Sequence, residues 1–354
     1  KTYFNYKKNY RKIKYNSGKS IKKMKKLLFI TLTILFFIVG CSDDPSLSET
    51  ELTLLALLDA DEAMGIDGLG SDGVMDLDHE VGLETGGVAK IFSDTLSYGD
   101  GYRIRFGRRI TDRDRTVEFD VDGDTAIGIV TYTVLGDFIA KAIDTSNQEQ
   151  IDSLSFTKEF ESMFTRKVRF VQVEDANNPD GYHWRVDALT PMTGGAGDKV
   201  SIATLSIYTL SDSMEQGELL YHFEADGLGD LFMDRDSLPS FTAFSKYMIE
   251  SSVENTGPEL IMDSTGVGEW VLKNYGLHRQ MRGRKYLNDK GVFLDAVMND
   301  NIHTGGWRGH GPGFGQRRGV FRSFVEVIDL ATIFVSDGGY NTHVWSIPYR
   351  VVRP

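Results

Sequence analysis

The stretch TVEFDVDGDTAIGIVTYTVLGDF, Thr116 to Phe138, decides the fold class. Val117, Phe119 and Val121 alternate with Glu118 and Asp120, the period of a half-buried strand. Asp122-Gly123 then supplies residues that tolerate positive φ, as a tight hairpin needs. From Thr125 the chain returns through β-branched residues. Outward from this hairpin the same grammar continues. Tyr102–Phe106 alternates, Phe160–Val173 reads as a long strand, and Asn177–Gly181 is a turn cluster after which Tyr182–Leu189 pairs back. Before the meander, Ser48 and Glu51 have capping-box spacing and predict one helix from about Glu49 to Met64. The acidic, glycine-rich residues Gly65 to Gly87 read as a loop. Asp67, Asp72, Asp76 and Asp78 within it do not match EF-hand spacing.

The run Thr193-Gly194-Gly195-Ala196-Gly197 is the best linker in the chain. Beyond it lie strand candidates Val200–Leu210, Glu218–Ala225, Ala243–Val253, Glu259–Asp263, Trp270–Tyr275, Val292–Met298, Val320–Ser336 and His343–Val352. Short strands between turns predict a β-sandwich. The fold class expected is therefore mainly β with some α. An α+β antiparallel-sheet domain over residues 51–192 is followed by an Ig-like β-sandwich over 198–354.

Residues 24–40 open with Met24-Lys25-Lys26 and continue through fourteen uncharged residues, Leu27 to Gly40, ending at Cys41, the only cysteine. Fourteen residues of helix span about 21 Å, short of the ~30 Å of a bilayer core, so the run reads as a signal peptide. Ile38-Val39-Gly40-Cys41 resembles the lipobox of bacterial lipoproteins. That resemblance implies cleavage before Cys41, acylation of its thiol (palmitate or a similar chain) and anchoring in a membrane. Ser42-Asp43-Asp44 resembles the acidic export tag of Bacteroidota-type lipoproteins. It implies an outer-membrane location facing the cell exterior, with a periplasm-facing anchor as the alternative. Residues 41–50 would be a lipidated tether. Residues 1–23, basic and lacking an acid, precede Met24, a natural start for a signal peptide, and read as a non-native upstream extension, with a long cytoplasmic n-region removed with the signal as the alternative.

Residues 1–40 hold eleven of the 39 Lys and Arg and no acid, which leaves 28 basic against 51 acidic residues, a formal charge of −23. Such a chain is repelled by nucleic acid and by anionic membrane surfaces. With Cys41 acylated no thiol remains for a disulfide, a zinc-thiolate site or a nucleophile. No nucleophile elbow, phosphate loop, HExxH helix or dinucleotide fingerprint occurs. No cofactor is expected.

Val121 to Ala126, Arg166 to Val171 and Trp184-Arg185-Val186 give residues 48–191 a weak resemblance to the NTF2-like family, which implies a curved sheet able to hold a small ligand or an active site. The six arginines between Arg103 and Arg115 are expected to pair with acids along the sheet. The most distinctive internal stretch is His303 to Arg318, with six glycines. His303, Trp307, Arg308, His310 and Phe314 form a candidate ligand-binding loop, expected to be exposed and suited to a surface protein or a glycan. Two histidines seven apart, without carboxylates beside them in sequence, predict no metal. The function expected is a non-enzymatic binding or structural module on a lipid anchor. The alternative is a small-molecule-binding or hydrolytic NTF2-like domain on the same anchor.

Overall fold

The computed structural model describes residues 11–15, 47–66, 69, 71–72, 76–82, 102–144, 153–257, 260–261, 267–275, 283–311 and 320–354. Residues 24–40, expected to be a signal peptide, the lipobox-like run ending at Cys41, Asp67 and Phe314 lie outside the described residues. Among the described residues no helix is long and apolar enough to cross a membrane.

The protein is mainly β with little α. Strand β1 (Arg11–Tyr15) pairs with the edge of β4, and helix α1 (Glu49–Ala60) follows with a 3-10 turn at Glu62–Met64. The capping box is present: Ser48 Oγ accepts from the Glu51 backbone at 3.2 Å and Ser48 N donates back to the Glu51 carboxylate at 2.8 Å. The stretch read as a glycine-rich loop contributes β2 (Ser71–Asp72) and β3 (Asp76–Gly82), both paired to β4.

Three long strands then form the meander, β4 (Tyr102–Asp122), β5 (Thr125–Asp144) and β6 (Ser153–Glu174). Gly123 takes φ +59° at the turn between β4 and β5. Strand β7 (Tyr182–Leu189) pairs back on β6. Arg166 donates to the Ala63 carbonyl at 2.6 Å, and Arg235 makes a two-point ion pair with Asp61, so the end of the helical segment is pinned to the sheet.

The expected linker is instead a strand, β8 (Met192–Ala196), paired to β6 on one side and to the last strand on the other. Glycine is required there by close approach. A Cβ on Gly194 would lie 1.9 Å from the Met163 carbonyl oxygen, and one on Gly195 2.0 Å from that of Thr342. The sheet thus runs without interruption between the two halves of the chain.

The remaining strands are β9 (Val200–Leu210), β10 (Gln216–Glu224), β11 (Met233–Asp234), β12 (Ser240–Thr242), β13 (Lys246–Asn255), β14 (Glu269–Tyr275), β15 (Gly283–Leu287), β16 (Ile302–Arg308), β17 (Val320–Asp329) and β18 (Thr342–Val352). Helix α2 (Leu330–Phe334) replaces the end of the expected Val320–Ser336 strand. The large sheet runs β1-β4-β5-β6-β8-β18-β17-β14-β15, and a second sheet runs β10-β9-β13-β16.

Strands β14, β17 and β18 form a middle layer. On one face Trp270, Leu272, Phe324, Ile328 and Val344 pack with Phe106, Phe138 and the helix. On the other Val271, Val325, Val327, Trp345 and Tyr349 pack against the second sheet through Ile207, Ile249 and Trp307. Both faces are buried, so burial runs almost unbroken along these strands instead of alternating, with polar residues such as Lys273, Arg322 and Glu326 among the apolar ones.

Candidate functional site

The residues of the predicted binding loop are distributed by the period of a strand. Ile302–Arg308 is β16, paired with β13 from Lys246↔Arg308 to Ser252↔Ile302, so this part of the stretch is not an exposed loop. His303 and Trp307 face the sandwich interior, 0% and 2% exposed. The expectation of an accessible Trp307 is corrected: glycines on this strand let neighbours close in, as at Gly305, where a Cβ would lie 2.6 Å from Leu287 Cδ2. Arg308 points out and donates through Nε to the Phe244 carbonyl at 3.0 Å. His310 is half-buried, with Nδ1–H donating to the Gly311 carbonyl at 2.7 Å and Nε2 accepting from the Tyr349 hydroxyl at 2.9 Å.

Trp307 and His310 help to enclose Lys273, a residue the sequence reading did not single out. Lys273 projects from β14 into the space between the sheets and is buried. Its Nζ lies 4.2 Å from the Trp307 ring centroid, 5.2 Å from Tyr275 and 5.8 Å from Tyr349. It donates to Ser323 Oγ at 2.6 Å. Burial pushes its pKa down to about 7. The adjoining cavity, lined by Leu205, Phe223, Phe241 and Trp345, gives a water centre about 20 Å³, room for one water. Burial also pushes the Tyr349 hydroxyl up and the His310 imidazole down.

The opposite face of the middle layer buries a second cation. Arg108 from β4 makes a two-point ion pair with Glu326 on β17, one arm at 3.1 Å, and its Nε donates to the Tyr340 hydroxyl. Burial lowers the pKa of Arg108, but the Glu326 carboxylate and the hydrogen bonds to Glu326 and Tyr340 outweigh it and the net shift is upward. The cavity beside this pair gives a water centre about 10 Å³. Of the other arginines on β4, Arg109 pairs with Asp137 and Arg115 with Asp59 of α1, at 2.5 Å.

His303 stands at the third buried polar cluster. Carboxylates absent from its sequence neighbourhood meet it in space: Glu269 from the start of β14 and Asp289 from the base of the β15–β16 connection. One ligand atom from each of the three lies within 4.8 Å of the others, and all three residues are buried. His303 Nε2 is 3.0 Å from Glu269 Oε1, while Nδ1 faces the Leu287 carbonyl at 3.4 Å. Asn255 Nδ2 donates to Glu269 Oε2 at 2.8 Å. The Asp289 carboxylate accepts backbone N–H bonds from Asp300 at 3.2 Å and Asn301 at 2.9 Å. Burial pushes its pKa up, against the opposing pull of His303 and those N–H groups. A second grouping, Asp289, Asp295 and Asp300, shares the same residue.

The connection itself, residues 288–301, includes the expected strand Val292–Met298. It is a loop instead, closed by bridges Asn288↔Thr304 and Lys290↔Met298 and turned by positive φ at Phe293, Asn299 and Asn301. Its apolar side chains Val292, Phe293, Val297 and Met298 are exposed, Phe293 to 97%. Comparison with family models, with curated proteins and with solved structures finds no match to this chain.

Proposed function

We propose that the chain is a lipid-anchored envelope protein, displayed at the outer membrane, that works as a non-enzymatic binding module. The anchor rests on the lipobox-like Ile38–Cys41 and the acidic residues after it. The observation that carries the binding reading is the 288–301 loop. Four large apolar side chains are exposed on this one connection, Phe293 almost wholly, and apolar exposure of this kind within one loop suits a contact surface. Among the described residues, the cavities beside Lys273 and Arg108 each have room for about one water.

The chemistry of the patch favours a protein partner. A glycan stacks on one ring and asks for polar neighbours, whereas Val292, Val297 and Met298 offer only aliphatic surface. A formal charge of −23 on residues 41–354, against −12 for the full sequence, argues against an anionic bilayer as the counter-surface. A photoreactive phenylalanine analogue at position 293, activated on intact cells, should give one discrete protein adduct that Val297→Asp abolishes. Adducts to lipid alone, or none, would exclude the reading. Palmitate-analogue labelling that persists in Cys41→Ser would exclude the anchor.

A further inference from the structure

We propose that Glu269, Asp289 and His303 hold a divalent transition-metal ion of the zinc type. The site lies where β14, β16 and the base of the 288–301 loop meet, and it stands whether or not that loop binds a partner.

The donor set is the first ground. Ligands at about 2.1 Å around a four-coordinate ion are separated by roughly 3.4 Å. The His303–Glu269 contact of 3.0 Å and the 4.8 Å limit on the whole set fit one ion at their centre. One imidazole and two carboxylates suit zinc or its first-row neighbours, whereas calcium and magnesium prefer oxygen alone.

The outer shell is the second ground. Metal-binding histidines pass their other ring N–H to a carbonyl or carboxylate, which fixes the tautomer. His303 Nδ1 faces the Leu287 carbonyl, so Nε2 is the nitrogen presented to Glu269. Glu269 is held by Asn255 and Asp289 by two backbone N–H groups, so each ligand is oriented by a separate group.

The third ground is independent of the cluster. Ser251 is fully buried, and its hydroxyl has no hydrogen-bond partner among the described residues. It stands directly across from His303 in the β13–β16 ladder, so its side chain projects from the same face beside the imidazole. A buried hydroxyl left without a partner is unfavourable unless something completes it. A metal ion, or a water on that ion, does so, and supplies the fourth position around the three ligands.

The test uses the full chain, purified in detergent and stripped with a chelator. Titration with Zn²⁺ should show one ion per chain and raise the unfolding temperature. Co²⁺ in its place should give the visible absorption of a low-coordinate N/O site. Asp289→Asn, nearly isosteric, should weaken Zn²⁺ at least about tenfold, and Ser251→Ala by a smaller factor. No bound ion would overturn the proposal and leave His303–Glu269 as an ion pair. Zn²⁺ affinity unchanged in Asp289→Asn would also overturn it. So would a site selective for Ca²⁺ that depends on Asp295 and Asp300. Should Asp289→Asn fail to fold, stoichiometry and the Co²⁺ spectrum of the unaltered chain still decide.

Discussion

Two cations lie buried on opposite faces of the same middle layer, and their surroundings differ. Arg108 reaches one face from β4 and meets the carboxylate of Glu326. Lys273 leaves the other face and meets a serine and three aromatic rings, with its pKa pushed down to about 7. They are near neighbours, since Leu272, the residue before Lys273, is the ladder partner of Glu326. Burial acts against both charges. A guanidinium with a fork-shaped partner keeps its proton, and an amine given only π-faces and a hydroxyl sits close to losing one. The Arg108 site is therefore tied by charge, and the Lys273 site is held mainly by packing.

Breaking the charged side should have the largest effect. Arg108→Met leaves Glu326 buried without its partner, which costs about 3–5 kcal/mol. The double change Arg108→Met with Glu326→Gln should recover a large part of that loss. Urea unfolding of the three proteins checks it, and a single variant as stable as the parent would remove the ion pair from the account.

On the packed side, Trp307→Ala deletes a ring that touches Phe241, Tyr247, Tyr275 and Tyr349. A buried aromatic truncated in this way costs about 3–5 kcal/mol, and the buried amine loses its closest π-face as well. Little change in the unfolding midpoint would mean that the space between the sheets collapses without strain.

Weaker, though still substantial, is the expected effect at the seam that makes the two faces share a layer. Gly195→Ala would force a Cβ against the Thr342 backbone. The strand must shift, at roughly 1–3 kcal/mol. Limited proteolysis discriminates further. A seam strand resists nicking between Pro191 and Lys199, whereas rapid cleavage there into two folded fragments would restore the linker reading.

The seam also shows what sequence patterns conceal. The hairpin at Asp122-Gly123, the long meander and the capped helix are local features, and local alternation, turn chemistry and spacing reveal them. Strand β8 was hidden because glycine density signals flexibility, while here each glycine answers a backbone from another part of the chain. The middle layer was hidden because strands buried on both faces lose the alternation that says which side is inside. Val292–Met298 misled in the opposite sense: an apolar run read as a strand is an exposed loop, turned by φ +61° at Phe293. At the polar clusters, His303 and Trp307 were visible as unusual residues in a glycine-rich stretch. Glu269 and Asp289 lie 34 and 14 residues from His303 in sequence and carry no spacing signal. Lys273, within Trp270–Tyr275, looked like the solvent side of an ordinary strand.

The smallest expected effect sharpens the comparison most, because it carries a sign. Lys273→Met with Ser323→Ala removes the amine and the hydroxyl it donates to, and leaves a site lined by apolar side chains. Free in the unfolded chain the amine titrates near 10.5, against about 7 in the folded protein. Below pH 7 both states carry the proton, and the burden of the buried charge is full and constant. Between pH 7 and about 10.5 the unfolded chain binds more protons than the folded one, so the amine's contribution to stability improves as pH rises. The double variant should therefore be more stable than the parent at pH 6, by roughly 1–3 kcal/mol, with the gap narrowing toward pH 10. Taking the difference between the two proteins cancels the other groups that titrate in this range. A difference that does not move with pH would mean that Lys273 keeps an ordinary pKa inside the sandwich. The aromatic rings would then hold its charge as well as Glu326 holds that of Arg108.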